Sequence, residues 1–330
     1  MLRLSVLDQS PVRSGGTAAD AIHETLELAQ ACDRWGYQRY WLAEHHSTPG
    51  LAGSSPEVLI GQVAARTTRI RVGAGGVMLQ HYSPLKVAEN FRVLEALFPG
   101  RIDLGIGRAP GADSLTARAL RADTRLEDFP RQVGDVIAFL RNRVPPDHAL
   151  AKVVAMPSGP TAPEVWLLGS SDQSAALAAH LGTPFSFAHF INDEGGAEVT
   201  CAYARQFRPS EMLGTLRASV AVFVVCADTE AEALRLAKSR DLFIVRLYTG
   251  RSGRYPSVEE AEAYPYTERE LAIVHHARRR TVAGAPEQVR DRLRALAAEY
   301  GVDELVVVTI THDVKARLRS YELLAQVFST

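Results

Sequence analysis

The chain has 330 residues, of which 46% are apolar, and its 37 basic and 38 acidic side chains sum to a net charge of −1. This balance permits a large buried core and excludes a disordered chain, and it leaves no overall basic charge to attract nucleic acid. No apolar run approaches the roughly 20 residues that span a bilayer. The first residues do not resemble a signal peptide, so we expect a cytoplasmic protein without membrane or nucleic-acid partners. Three widely spaced cysteines predict no disulfide framework.

Short β-branched runs alternate with amphipathic helical stretches along the chain. Eight strands are predicted, at Leu2–Leu7, Tyr37–Ala43, Ile70–Gly75, Ile102–Ile106, Glu164–Leu168, Phe185–Ala188, Ala218–Cys226 and Val302–Thr309. Helices are predicted at Thr17–Trp35, Pro56–Arg66, Pro84–Phe98, Arg131–Leu140, Ser171–Leu181 and Lys315–Phe328. This alternation favours one α/β domain over residues 1–330, a closed parallel (β/α)8 TIM barrel. A doubly wound open sheet is the alternative, because periodicity does not show closure.

Two segments, at about 109–163 and 240–284, are longer than normal connections. We expect them as long loops inserted over the C-terminal face of the barrel, where such folds carry their active sites. The second segment is rich in tyrosine, glycine and proline and resembles a lid. A plain surface loop is an equal alternative.

Polar residues or glycines stand at the carboxyl ends of six predicted strands. They are Glu44-His45-His46, Gly73-Ala74-Gly75-Gly76, Gly105-Ile106-Gly107-Arg108, Gly169-Ser170-Ser171, His189, and His312-Asp313. Because a barrel gathers the carboxyl ends of its strands at one face, this distribution predicts a site there.

The histidine pair admits more than one interpretation. Adjacent side chains on an extended strand point to opposite faces, so a metal cluster at His45 and His46 is disfavoured and no metal is expected. One histidine facing the barrel mouth as an acid, base or hydrogen-bond donor is the functional hypothesis, and an ordinary core histidine is the alternative.

Arg108 and the start of the helix after the fifth strand suit a phosphate. A guanidinium binds two oxygens at once, and a helix N-terminus offers free N–H groups and a positive dipole end. The hydroxyls of Ser171 and Ser174 would add hydrogen bonds. The alternatives are an ion pair between Arg108 and Asp113 and simple helix capping by serine.

Five stretches resemble the bacterial luciferase-like flavin-dependent monooxygenase family, in particular its single-chain members. They are Trp41–His46, Val72–Val77, Pro99–Gly111, Trp166–Ser171 and Arg317–Leu324. The resemblance covers nearly the whole chain in the family's order. One departure is Gly107, where light-emitting members have a cysteine, which weakens any expectation of light emission.

The resemblance implies a barrel enzyme that uses reduced FMN and O2 to oxidise a small organic substrate through a flavin peroxide. It also implies a separate flavin reductase as partner and a homodimer. Two alternatives remain open: a deazaflavin-dependent oxidoreductase of the same fold, and a flavin-binding protein without catalysis.

The family's residue roles carry over by position. His45 corresponds to the catalytic histidine, the Gly75-Gly76 peptide to a non-prolyl cis bond under the flavin ring, and Arg108 to a phosphate ligand. The full cofactor-binding set implied is Glu44, Gly75, Gly76, Arg108, Gly169, Ser170, Ser171 and Ser174. His46, His189 and His312 are expected in the substrate pocket.

Overall fold

A closed ring of eight parallel strands forms the centre of the computed structural model, which describes residues 2–109, 111–120 and 125–329. The described residues form nine strands: β1 Arg3–Asp8, β2 Arg39–Leu42, β3 Arg71–Met78, β4 Ile102–Gly107, β5 Glu164–Gly169, β6 Phe185–Ala188, β7 Ala218–Cys226, β8 Thr281–Gly284 and β9 Glu304–Val308. The ring runs from β1 through β7 in chain order and then to β9, which pairs back onto β1. The predicted (β/α)8 barrel is therefore confirmed, and the open sheet is wrong.

Helices surround the ring and connect its strands. Their bounds are α1 Ala18–Trp35, α2 Pro56–Arg66, α3 Pro84–Leu97, α4 Ser114–Leu120, α5 Phe129–Leu140, α6 Asp172–Leu181, α7 Gly196–Gln206, α8 Glu230–Tyr248, α9 Val258–Ala263, α10 Glu268–Arg279, α11 Pro286–Tyr300 and α12 Val314–Ser329. Single 3-10 turns lie at Leu79–His81 and Leu126–Asp128. In the described part of the chain, no helix combines the length and apolarity that crossing a bilayer requires.

The strand β8 is absent from the sequence-based prediction. It pairs in parallel with Phe223–Cys226, the C-terminal half of β7, beyond Ala218–Ala221 where β6 pairs. It therefore extends the barrel wall at the C-terminal face. A run of four residues is too short to show the alternation that identifies a strand.

The expectation of a long loop over 240–284 is wrong, because this segment holds the end of α8, then α9, α10 and β8. Each of these helices begins at a serine or threonine whose side chain accepts a backbone N–H, at Thr229, Ser257 and Thr267. These N-caps stabilise helix starts that hydrophobic periodicity alone did not reveal. We call residues 227–280, between β7 and β8, the insert.

The insert packs on the C-terminal mouth of the barrel. Phe243 of α8 and Tyr255 stack with their ring centroids 3.8 Å apart, and both are buried in a cluster with the barrel residues Trp41 and Phe223. The other long segment contains the predicted helix, here α5, together with the short α4, while residues 141–163 form neither helix nor strand.

Charged side chains fill the N-terminal half of the barrel interior. Arg39 lies 2.7 Å from Asp103, 2.6 Å from Glu304 and 3.2 Å from Glu164. Arg71 binds Asp103 at 2.6 Å, and Arg217 binds Glu164 at 2.7 Å. These three arginines and three carboxylates, called here the barrel-floor network, balance in charge and close the floor of the barrel.

The last helix is held to the first strand by a second buried pair. Arg317 of α12 donates to the carboxylate of Asp8 at 2.6 Å and to the carbonyl of Thr309 at 2.8 Å. Burial works against ionisation of Asp8, but the charge of Arg317 and the hydroxyl of Tyr40 outweigh it and lower the pKa of Asp8. This pair fixes the ends of β1 and β9 beside each other.

Candidate active site

A cavity of about 440 Å³ opens at the C-terminal end of the barrel, above the barrel-floor network. We call it the mouth cavity. It is lined by Leu7, Trp41, Gly75, Gly76, Met78, Gly107, Arg108, Ala109, Leu168, Gly169, Ser170, Ser171, Ser174, Ser186, Ala188, Phe190, Ile191, Ala221 and Val306. Its size lies within the roughly 300–1,000 Å³ range of small-molecule sites.

Seven of the eight residues in the expected cofactor-binding set line this one cavity. They are Gly75, Gly76, Arg108, Gly169, Ser170, Ser171 and Ser174. They come from the carboxyl ends of β3, β4 and β5 and from the start of α6. The barrel brings them together because these three strands are neighbours in the ring.

The peptide between Gly75 and Gly76 is cis, as the resemblance implies. A side chain at Gly75 would place its Cβ 2.8 Å from both Leu7 Cδ1 and Trp41 Cβ, and one at Gly76 would lie 2.8 Å from the carbonyl of Gly105. The barrel wall therefore has no room for side chains at this dipeptide, and its surface toward the cavity is bare backbone.

Arg108 lies beside the N-terminus of α6. Its Nη1 donates to Oε1 of Gln173 at 2.6 Å, and the arginine lines both the mouth cavity and a second cavity of about 450 Å³ between α5 and α6. Ser171 occupies the N-cap position of α6, yet its hydroxyl caps none of the described backbone N–H groups and lies 3.4 Å from the hydroxyl of Ser174. A guanidinium, a helix N-terminus and two hydroxyls thus meet at one end of the mouth cavity.

Glu44, the eighth residue of the set, does not line the mouth cavity. Its buried carboxylate accepts three hydrogen bonds: from His46 Nε2 at 2.7 Å, from the backbone N–H of Met78 at 3.0 Å and from the hydroxyl of Tyr82 at 2.7 Å. Glu44 therefore ties the end of β2 to the end of β3. His46, expected in the substrate pocket, is held by this carboxylate and also lies outside the lining.

His45 follows β2 and is anchored by its backbone N–H, which donates to the carbonyl of Gly53 at 2.8 Å. Its Nδ1 is buried and has no hydrogen-bond partner among the described residues. Burial, together with the nearby His46, lowers the pKa of His45 to about 4. The imidazole is consequently neutral at pH 7, with an Nδ1 whose polar capacity is unused. The ring is not part of the cavity lining.

The remaining two histidines of the expected substrate pocket also contact protein groups outside the cavity lining. His189 Nδ1 lies 2.8 Å from the hydroxyl of Tyr300, and burial lowers the pKa of His189. His312 Nε2 lies 3.1 Å from the hydroxyl of Ser14.

The apolar walls of the mouth cavity were not identified from the sequence. Trp41, Leu168 and Val306 lie on predicted strands, and their inward direction depends on the register of the closed barrel. Phe190 and Ile191 follow β6 and carried no signal that separates them from other loop residues. The alternation of inward and outward positions along each strand would have identified the first three once closure was known.

The ring of strands and the mouth cavity together define a (β/α)8 protein with a ligand site at the carboxyl ends of its strands. Residues 2–304 match the family model described as luciferase-like monooxygenase. The chain belongs to the luciferase-like monooxygenase family, and the resemblance found in the sequence is confirmed. Its relatives support an oxidoreductase of the monooxygenase class.

Similar proteins cover the full length of the chain. The Bacillus subtilis protein YwcH is 48% identical over 338 residues, covering 100% of both chains. N-acetyl-S-alkylcysteine monooxygenase from Bacillus subtilis is 40% identical over 328 residues, covering 98% of each. The crystal structure of apo-MsnO8 is 41% identical, with a TM-score of 0.91 over 99% of this chain and 98% of that one.

A more distant structure shares the fold. It is the FMN complex of the oxygenating constituent of 3,6-diketocamphane monooxygenase from Pseudomonas putida, a type II Baeyer-Villiger monooxygenase. It is 20% identical, with a TM-score of 0.73 over 99% of this chain and 97% of that one.

Proposed function

We propose that the protein is an FMN-dependent monooxygenase that uses reduced FMN and O2 to oxidise a small organic substrate. The observation that carries the proposal is the convergence of seven expected cofactor residues on the mouth cavity. The FMN complex of a protein with the same fold and the name of the N-acetyl-S-alkylcysteine monooxygenase relative support it.

The residues of the cavity fit such a cofactor. Arg108 and the N-terminus of α6 suit its phosphate, because both favour an anion. The hydroxyls of Ser171 and Ser174 suit hydrogen bonds to its polar chain, and the bare backbone at Gly75 and Gly76 suits a flat ring. FMN, when bound, supplies the redox chemistry that no side chain provides.

The chain's own residues would bind the cofactor, shield it from water and move protons. The apolar side chains of Trp41, Leu168 and Phe190 shield the cavity from water, which protects reactive species. The role of His45 in proton movement rests on the resemblance: its imidazole is neutral at pH 7 and its Nδ1 has no hydrogen-bond partner among the described residues, but its ring lies outside the cavity lining. Glu44 holds the ends of β2 and β3 in position for both tasks.

A binding titration tests the cofactor assignment. We expect FMN to bind more tightly than the deazaflavin F420, and Arg108→Gln to weaken FMN binding by about tenfold or more, the size of a charge-assisted hydrogen bond. Arg131→Gln, at an exposed position outside the cavity, is the matched control. Tighter binding of F420 would contradict the proposal. FMN binding without uptake of label from ¹⁸O2 into any product of a substrate screen would favour a non-catalytic flavin-binding protein.

We further propose a cytoplasmic homodimer that receives reduced FMN from a separate reductase. Apolar side chains on the outer faces of α2 and α3 support the dimer, since Val58 and Leu97 are each 64% exposed. Light scattering is expected to give twice the mass of the chain. Leu97→Asp should yield a monomer, while Leu115→Asp, on the exposed helix α4, should leave the mass unchanged.

A further inference from the structure

Two buried arginines of the insert have no carboxylate partner among the described residues. Arg240 in α8 is 3% exposed, and Arg280, at the end of the insert, is 6% exposed. Nη1 of Arg240 donates to the hydroxyl of Thr281 at 2.9 Å, and Nη1 of Arg280 donates to the carbonyl of Ile191. In both residues Nε lacks a hydrogen-bond partner within the described chain. Among the described residues, each guanidinium thus has one neutral oxygen as hydrogen-bond acceptor, and that of Arg240 also lies over the ring of Phe223.

The nearby carboxylates form ion pairs with other arginines. Asp241, next to Arg240 in sequence, is bound by Arg278 at 2.6 Å, and Asp193 is bound by Arg279 at 3.4 Å. By contrast, the buried Arg39 and Arg317 of the barrel each face carboxylates. A buried charge without a counter-ion is unfavourable, and the contact of Arg240 with the Phe223 ring offsets only part of that cost.

The guanidinium of Arg240 remains charged at neutral pH. Burial lowers the pKa of Arg240 to about 10, and the charge of Arg280 acts in the same direction. A pKa of about 10 still leaves the side chain protonated at pH 7. The insert therefore concentrates two positive charges in a region of low dielectric, where their field is weakly screened.

These charges do not line the mouth cavity but contact residues that form one of its walls or pack behind it. The guanidinium carbon of Arg240 is 3.6 Å from the ring centroid of Phe223, and this ring packs edge-on against Phe190 at 5.4 Å. Phe190 and its neighbour Ile191 line the cavity, and Arg280 holds the carbonyl of Ile191. Arg108 follows β4, whereas Arg240 lies in α8 and Arg280 lies between α10 and β8, so the two groups of positive charge come from different parts of the chain.

We propose that the insert side of the mouth cavity binds the anionic group of the substrate, and that the substrate is a small organic carboxylate with an apolar chain. This inference rests on the proposed function and names its substrate class. The field of the two arginines attracts the carboxylate toward the Phe190–Ile191 wall without a direct hydrogen bond, and the apolar chain packs against Leu7, Trp41 and Val306. Under the proposed function, the Arg108 side would hold the phosphate of FMN.

Calorimetric titration of the FMN-loaded protein with hexanoate and hexanamide tests this assignment. The two probes share shape and chain length and differ in charge, and bound FMN keeps hexanoate away from Arg108. We expect hexanoate to bind about tenfold more tightly than hexanamide. Arg240→Met and Arg280→Met should each remove most of this preference and leave hexanamide binding unchanged. Arg246→Met, which removes an ion-paired cation from the same helix, is the matched control and should retain the preference.

Two results would overturn the assignment. One is equal binding of the two probes to the unmodified protein, a comparison that needs no variant to fold. The other is a preference that survives both methionine variants, and a loss of thermal stability in those variants would then assign the arginines a purely structural role. An FMN titration of the same proteins distinguishes failure of the proposed function from failure of the substrate class. Absent FMN binding refutes the proposed function. Normal FMN binding with equal probe affinities refutes only the substrate class.

Discussion

Arg39 and Asp103 form an ion pair of 2.7 Å inside the barrel, with both side chains withdrawn from solvent. Asp103 also accepts from Arg71 and from the indole N–H of Trp41, which lines the mouth cavity. The barrel-floor network and the candidate site are therefore in contact through one side chain. A buried pair of this kind is strongly destabilised when one partner is removed, because the other charge is left unpaired.

Asp103→Asn is accordingly expected to lower the free energy of unfolding by about 3–5 kcal/mol, measured by urea denaturation. Asp303→Asn is the matched control, because it removes an exposed pair with Arg3 at 2.8 Å. The free energy of unfolding of Asp303→Asn should fall by less than about 1 kcal/mol. Equal, small losses in both variants would show that the buried network contributes little.

Glu164 makes stability depend on acid pH. Burial opposes its ionisation, but the charges of Arg39, Arg217 and Arg71 prevail and lower its pKa to about 2. Because the folded-state pKa lies below the unfolded value of roughly 4.3, the stabilisation is full above that value and is lost as the pH falls toward 2. The difference in unfolding free energy between the unmodified protein and Glu164→Gln should be largest near pH 7 and shrink below pH 4.5. A constant difference from pH 7 to pH 2 would contradict this.

His45 should titrate far below an ordinary histidine. Its ring resonances, followed by NMR and assigned by their loss in His45→Gln, are expected to show a midpoint near pH 4, because burial disfavours the imidazolium. Between about pH 6.5 and 4 the unfolded chain binds a proton that the native protein does not. Stability should therefore fall over this range as the pH is lowered, and His45→Gln should reduce the slope. A midpoint near 6.5 would refute the buried, neutral ring.

Two glycines should respond to alanine in opposite directions. Gly134 lies inside α5 with nothing within 4 Å of an added Cβ, so Gly134→Ala is expected to raise the free energy of unfolding by about 0.5–1 kcal/mol. A Cβ at Gly105 in β4 would lie 2.2 Å from the carbonyl of Ala74 in the neighbouring strand, so Gly105→Ala should be destabilising. Thermal unfolding of both variants checks the pair, and a stabilised Gly105→Ala would contradict the packing.

Much of the fold followed from local sequence signals. The eight ring strands matched the prediction because their apolar runs are flanked by glycine, proline or capping residues, as at Pro99-Gly100 before β4. The helices of the insert could not be predicted from these signals, because their sequences are largely polar and their starts depend on single capping residues such as Thr267. The strand β8 forms only because the C-terminal half of β7 offers an edge.

In the candidate site, too, some residues could be predicted from local sequence and others could not. Residues at strand ends, such as Gly75 and Arg108, were found because the barrel rule places the ends of all strands at one face. His189 and His312 obey the same rule in sequence, yet their rings bind Tyr300 and Ser14. The direction of a side chain beyond the end of a strand depends on its tertiary neighbours.

The alternation of strands and helices, the family, and the glycine, serine and arginine residues that converge on the mouth cavity could all be predicted from local sequence. Which charges are neutralised depends instead on the packing of the folded chain. Arg39 faces three carboxylates from distant strands, whereas Arg240 and Arg280 face none among the described residues. Charge pairing joins residues far apart in the chain and depends on distance and burial, which composition and periodicity do not contain.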